Sequence, residues 1–381
     1  MKQILTTLVA LGVLFSASQA FALEELMRNY RGARALGMGG ITYTTGIYDE
    51  SLFGNPATQL LAPAWKISLL NVTGELNDNM LADLSDVLEV TKAKGSEVLS
   101  KIGSKQLAGK AEHYRVTLIP GFYSPTFFGE NTGFGFGVLA NSQTTLMLRG
   151  NTDIEMQAVL DVGPAMGVAH RFTNLGLNVG VNARVLYRAG INRTLTATDF
   201  TSGTAQLSLK SLGTQGVGFD GDVGALYTVP IPLWIFKQVL VGASLNNVLA
   251  SEYQNFGKDL ISTISSGAPP ANDRTLNAGV RFDLPDLYVF SNSLFAFEFQ
   301  NVGHTRKQAS FYKKLHFGAE TNVLTSWFSV RGGLNQGYLT GGVGFDLPIV
   351  NVNIATYGEE LGSNAGQIED RRVLLNLEFA I

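Results

Sequence analysis

Four histidines (His113, His170, His304 and His316), an Asp220-x-Asp222 pair and a glycine cluster at Gly37, Gly39 and Gly40 are where this 381-residue chain has the residue types for chemistry. None of the histidines has the spacing of a zinc site. Asp220 and Asp222 resemble a metal pair, but on a strand both leave the same face about 7 Å apart, which suits structural pairing better. The glycines lack the preceding strand and following helix of a nucleotide loop. No Gly-x-Ser-x-Gly elbow is present. With no cysteine, thiol nucleophiles, thiolate metal sites, disulfides and lipoprotein anchoring are removed together. The expectation is no enzyme, no metal and no cofactor.

The remaining charged residues fall into a pattern. Leu177, Val179, Val181, Ala183, Val185 and Tyr187 alternate with Asn178, Gly180, Asn182, Arg184 and Arg188, with Leu186 out of phase. The same period of two sets Leu276, Ala278, Val280 and Phe282 against Asn277 and Arg281, and Phe295, Phe297 and Phe299 against Glu298. Leu315, Phe317 and Ala319 oppose Lys314, His316 and Glu320, and Val373, Leu375, Leu377 and Phe379 oppose Arg372 and Glu378. Such alternation makes strands with one apolar and one polar face. A soluble sandwich would bury the apolar face, but the polar faces carry many charges of both signs and no second layer of helices is on offer. Lipid outside and a polar lumen inside satisfies every strand.

Composition agrees. Charged residues are 15%, against roughly 25% in ordinary soluble proteins, and glycine is high at 43 residues. A net charge of −3 with no basic cluster predicts no nucleic-acid partner. Residues 1–22 read as a secretory signal, with Lys2, an apolar run from Ile4 to Phe15 and the Ala20-Phe21-Ala22 cleavage site. The run is too short for a membrane helix.

The strand pattern begins near Ala64 and continues to Ile381, and counting gives roughly fourteen strands, an even number as in bacterial single-chain barrels. Connections near 74–112, 191–215, 251–273 and 358–371 are long, while the intervening ones, such as Thr173-Asn174 and Pro230-Ile231-Pro232, are short. Long loops on one rim and short turns on the other is the outer-membrane arrangement. The fold class is therefore all-β: a 14-stranded antiparallel transmembrane β-barrel, placed in the bacterial outer membrane with lipid as its partner. Residues 23–63 are assigned to an N-terminal hatch or plug and 64–381 to the barrel. A helical insertion at about 77–109 has Leu81, Leu84 and Leu88 at helical spacing behind an Asp78 cap, followed by Val98 and Ile102. It is expected to pack over the barrel mouth, with Lys92, Lys94, Lys101, Lys105 and Lys110 in solvent.

Arg184, Arg188, Asp220, Asp222, Arg281, Glu298, Lys314, His316, Glu320, Arg331, Arg372 and Glu378 are the lumen-facing residues expected from this phase. Both signs are interleaved, which suits ion pairs that hold the plug, whereas a selective pore shows a ring of one sign. A carboxylate head group held on arginine is the functional alternative.

Ala33-Arg34-Ala35-Leu36-Gly37-Met38-Gly39-Gly40, followed by Asn55-Pro56-Ala57, resembles the N-terminal region of FadL-type outer-membrane proteins. That group includes fatty acid and aromatic hydrocarbon transporters, with PorV-like and TraF-like relatives. Leu315-His316-Phe317-Gly318-Ala319-Glu320, Arg331-Gly332-Gly333-Leu334, Leu339 to Phe345, and Gly218-Phe219-Asp220 are similar to the PorV and TraF side. The resemblance implies a hatch closing the lumen, with Asn55, Pro56 and Ala57 as its turn and Gly37, Gly39 and Gly40 as its tight backbone.

Two functions follow. One is passive uptake of a hydrophobic small molecule, with Tyr253, Phe256, Leu260 and Ile264 as an outer capture surface. The other is a scaffold or shuttle for secretion or conjugation proteins. A continuous apolar pocket beside the plug favours the first, and a lumen packed with ion pairs the second. A barrel-borne lipase or acyltransferase is the weaker third.

Overall fold

The computed structural model describes residues 28–149, 153–200, 206–230, 235–250, 252–255, 260–262, 264, 267–302 and 310–381. The expected signal, the first residues of the hatch, His304, Phe256 and part of the Pro230-Ile231-Pro232 turn lie outside these.

Strands β1 (Lys66–Asn77), β2 (Ala111–Leu118), β3 (Gly121–Ser124), β4 (Thr132–Leu148), β5 (Ile154–Phe172), β6 (Leu177–Leu195) and β7 (Thr214–Thr228) form the first half of one sheet. The second half is β8 (Gln238–Asn246), β9 (Thr275–Asp283), β10 (Phe290–Val302), β11 (Leu315–Val323), β12 (Phe328–Asn335), β13 (Tyr338–Asp346), β14 (Val350–Glu360) and β15 (Glu369–Ala380). Neighbours in sequence pair antiparallel, and β15 returns to β1 from Ser68↔Ala380 to Asn77↔Arg372, closing the barrel. Segments β2 and β3 keep a single register on β4, from Ala111↔Met147 to Ser124↔Phe134. They are one wall strand interrupted at Ile119-Pro120, where proline offers no N–H to the ladder. The wall is therefore fourteen-stranded. A bulge at Leu69 shifts β1 by one residue on β15.

Side-chain direction follows the two-residue period. On the outside, Val116, Val181, Phe219, Leu276, Phe317, Leu375 and Phe379 are exposed, whereas Glu75, Arg188, Glu298, His316 and Arg372 are buried inside. An exterior of this kind is the inverse of a soluble domain. Leu186 is not out of phase. It points inward and joins Tyr30, Ile119, Leu139 and Tyr253 in a small apolar cluster within the lumen.

Both termini of the wall lie on one rim. Its turns are short, as at Thr173–Leu175, while the opposite rim carries most of the long connections and the two-residue Gln336-Gly337 turn, with both φ positive at 54° and 98°. Helices α1 (Ala33–Gly37) and α2 (Asp49–Phe53) and a 3-10 turn at Pro56–Leu61 belong to the N-terminal segment. Helices α3 (Asp78–Lys92) and α4 (Glu97–Ser104) form the insertion between β1 and β2.

The insertion differs from its expected position. Met80, Val87 and Val90 of α3 and Val98 and Ile102 of α4 pack with Leu146, Leu148, Ile154, Met156 and Ile191. Those wall residues are in phase with the outward Val138, Val162 and Val185, so the helices lie on the outer face of the wall instead of over the mouth. Asn77 caps α3, its side chain accepting from Met80 N, in place of Asp78. Leu81, Leu84 and Leu88 turn away and are 54%, 45% and 49% exposed.

Candidate functional site: the N-terminal segment and its wall contacts

Helices of five residues have no stability of their own in water. Residues 28–62 are held by the wall, through bonds to β5, β6, β7, β8, β10, β11, β13 and β14. Glu298 on β10 accepts from the backbone of Thr42 (3.1 Å) and Thr44 (2.7 Å) and from the Thr44 hydroxyl (2.8 Å). Glu320 on β11 takes Arg34 through Nε and Nη2, at 2.9 and 2.7 Å, and also pairs with Arg331 of β12. His316 Nδ1 lies 2.8 Å from the Gly39 carbonyl. Thr340 on β13 accepts from Gly39 N (2.9 Å) and donates to the Gly37 carbonyl (3.1 Å).

The Asn55-Pro56-Ala57 turn is fixed the same way. The Asn55 amide donates to the Tyr43 carbonyl at 2.8 Å and to the Ala225 carbonyl of β7 at 3.1 Å, and its oxygen accepts from Ala57 N. Asn182 and Asn246 donate to the Ser51 and Gly54 carbonyls at 2.8 and 2.7 Å. An irregular backbone inside a barrel needs such partners, because each orphaned polar group costs free energy. Wall glycines admit the close approach: a Cβ on Gly224 would stand 1.9 Å from Asn55 Oδ1, and one on Gly318 2.3 Å from the Met38 carbonyl.

The other expected lumen residues divide. Arg184 pairs with Asp222 at 2.6 Å, and Arg188 with Asp161 at 2.6 Å while resting over the Tyr253 ring. Arg372 pairs with Asp370 at 2.7 Å, and Glu378 with Lys66 at 2.8 Å. Arg281 bonds Asp283 at 2.6 Å, half-buried near the rim that carries the termini. Asp220 shares no site with Asp222: its carboxylate accepts from the backbone of Gly221 and Leu249 and holds the chain leaving β8. Lys314 is half-exposed in a 3-10 turn, and the buried lysine is Lys313, which donates to the carbonyls of Glu360 and Gly362. The residue one step out of phase is buried because the turn breaks the two-residue period.

Glu359 and Asp161 were not among the expected lumen residues. Arg31 meets Glu359 at 2.7 Å, two residues past the expected end of β14, and carrying the alternation on from Tyr357 would have found it. Asp161 also accepts from Asn29 at 3.1 Å. A hydroxyl–imidazole–carboxylate row, Thr145–His113–Glu75, is present at 2.8 and 2.9 Å, but it is sealed, and Glu75 also receives Arg115 and Tyr357.

Among the described residues two cavities flank the segment. One of about 410 Å³ opens beside Tyr48, Asp49, Glu50, Lys66, Asp346 and Glu378. The other, about 50 Å³, lies among Arg28, Arg184, Asp222, Asn246 and Asn272. Charged and polar side chains predominate around both, and Tyr30 borders the two.

Glu50 is buried, accepts from Ala35 N at 3.2 Å and has Arg34 no nearer than 3.9 Å. Burial raises its carboxyl from 4.5 to about 7, opposed by Arg34 and assisted by Asp49. The docked segment thus keeps a proton that a released one has lost. Docking is strongest below about 4.5, weakens as pH rises through 7, and levels off above, a span of about 3 kcal/mol. Protease cleavage of residues 28–62 is expected to be faster at pH 8.5 than at pH 5, with Glu50→Gln flattening the profile. A pH-independent wild type refutes the assignment.

Against known proteins, no family model and no curated protein matches the chain. Solved structures do. The TodX monoaromatic hydrocarbon channel, as its deltaS2 mutant, superposes with a TM-score of 0.52 at 13% identity, covering 93% of this chain and 98% of that one. The CymD monoaromatic hydrocarbon channel gives 0.52 at 12% identity over 93% and 98%. The Ralstonia pickettii toluene transporter TbuX gives 0.50 at 13% over 92% and 97%. At such identity the likeness is one of fold: the chain is built on the same barrel as these hydrocarbon channels, the architecture that the FadL-type resemblance implied.

Proposed function

We propose that this chain, exported by the signal at residues 1–22, spans the bacterial outer membrane and passes a hydrophobic small molecule sideways through its wall. The observation that carries this is a crevice at β7. The ladder from β7 to β8 starts only at Val223↔Leu245, and farther along β7 is bridged to the chain after β8 at Val217↔Gln254. Between them a crevice of about 10 Å³ has exposed Phe219, Leu186 and Tyr253 on its apolar side and Arg184, Asp220, Asn247 and Asn272 on its polar side. Tyr253 closes it, seated against Gly218, where a Cβ would come within 2.8 Å of the ring. Tyr253 is thus an inward stopper instead of part of an outer capture surface; of the other expected capture residues, Leu260 is exposed and Ile264 half-buried. The ion-paired lumen argues against a straight path, and the fold shared with hydrocarbon channels supports an apolar cargo.

Proteoliposomes holding the wild type are expected to take up toluene faster than empty ones. Tyr253→Ala should raise the rate several-fold and Phe219→Arg abolish it, with barrel closure checked by heat-modifiable electrophoretic mobility. Equal uptake by all three and by empty vesicles defeats the proposal. The ion-paired lumen favours a second reading, a scaffold for secretion or conjugation proteins. That reading gains if uptake is absent and a defined partner co-purifies in detergent.

A further inference from the structure

Helix α3 exposes an apolar row next to its polar face. Its buried side is Met80, Val87 and Val90, already packed on the wall, so Leu81, Leu84 and Leu88 form a second apolar row beside the first. Three of the four acidic residues of α3 are paired: Asp86 and Glu89 meet Lys105 at 2.8 and 3.1 Å, and Asp83 pairs with Lys110, while Asp78 opens the helix. The helix starts directly after β1, whose outward Leu76 packs against the helix cluster and pairs with exposed Val373 of β15, two residues from exposed Leu375 on the same face. The leucine row is therefore continuous with the apolar exterior of the barrel.

We infer that the Leu81–Leu84–Leu88 face of α3 rests in the lipid of the outer leaflet, as an interfacial helix mounted on the barrel's outside. The inference depends on the membrane-spanning reading above. A helix with an apolar row beside a charged, polar face lies at the boundary of head groups and acyl chains. Nothing in the row donates or accepts hydrogen bonds, so acyl chains satisfy it without partners. The insertion then sets how deep and at what tilt this side of the barrel sits.

The chain has no cysteine, which makes the test direct. Single variants Leu84→Cys, Leu377→Cys and Glu97→Cys are labelled with an environment-sensitive fluorophore and reconstituted in vesicles of phosphatidylcholine and phosphatidylglycerol. Leu377 faces outward on the wall and Glu97 is exposed at the start of α4. The label at position 84 should be quenched several-fold more by lipid-borne nitroxide than the one at 97, and less by aqueous iodide. Lipid quenching at 377 but iodide quenching at 84 overturns the inference and leaves the barrel reading intact. Lipid quenching at neither overturns the membrane reading itself. A label at 84 shielded from both quenchers, with disulfide cross-linking of Leu84→Cys between copies, assigns the row to a second copy and also overturns it.

Discussion

Glu320→Ala is expected to release the N-terminal segment from the wall while the barrel stays closed. Glu320 accepts from Nε and Nη2 of Arg34 and from Arg331, and Arg331 in turn donates to Asn353 at 2.7 Å. Removing the carboxylate leaves two guanidiniums facing each other in a largely buried site. Breaking a buried pair in this way costs about 3–5 kcal/mol, because the remaining charges lose their compensation. The segment has little helical stability to offset that loss. Planar bilayers carrying the wild type should show a quiet baseline, and those carrying Glu320→Ala frequent openings. Trypsin should reach Arg34 in the variant and not in the wild type. Silent bilayers and a protected Arg34 would show that Glu320 does not latch the segment. Glu320→Gln keeps one acceptor and should fall between.

Gly39→Ala is expected to act as strongly by a steric route. Gly39 has φ 69°, and an added Cβ would stand 2.0 Å from the Phe317 carbonyl and 2.9 Å from the Leu334 carbonyl. Both obstacles are wall backbone inside the ladder of β11 and β12, so neither can move without breaking sheet bonds. The left-handed conformation adds about 1–2 kcal/mol for a residue with a Cβ. Gly366→Ala separates the two causes, since Gly366 has φ 83° but nothing within 4 Å of the added carbon. Circular dichroism should report unchanged strand content in both variants. Proteolysis of residues 28–62 should rise sharply in Gly39→Ala alone. Equal resistance of the two variants would mean the segment tolerates displacement from β11.

How far each feature was legible in the sequence depends on the range of the interaction behind it. In β6 the period of two is a local property of the backbone, and Val181, Val185, Arg184 and Arg188 fall on the faces that alternation assigns. The same local rule carries the strand number, the closed antiparallel order and the contrast between short and long rims. The glycines and the Asn55-Pro56-Ala57 turn of the N-terminal segment were pointed to by the FadL-type resemblance, with which the residue types agree.

Partners were not legible, because they come from strands distant in sequence. Arg31 finds Glu359 and Asn55 finds Ala225, pairings that barrel closure creates and no spacing encodes. Leu186 reads as an error of phase until Tyr30 and Tyr253 are seen around it. Helix α3 shows the same limit. Its sequence contains two apolar rows, Met80–Val87–Val90 and Leu81–Leu84–Leu88, and periodicity alone favoured the more conspicuous one. The choice between them was made by the outward faces of β4, β5 and β6, which give the first row a surface to cover. By itself the sequence determined a closed wall, apolar outside and charged within. Tertiary structure decided which charges meet, where the β7–β8 ladder stops and which face of α3 is left outside, since each is a contact between segments rather than a property of one.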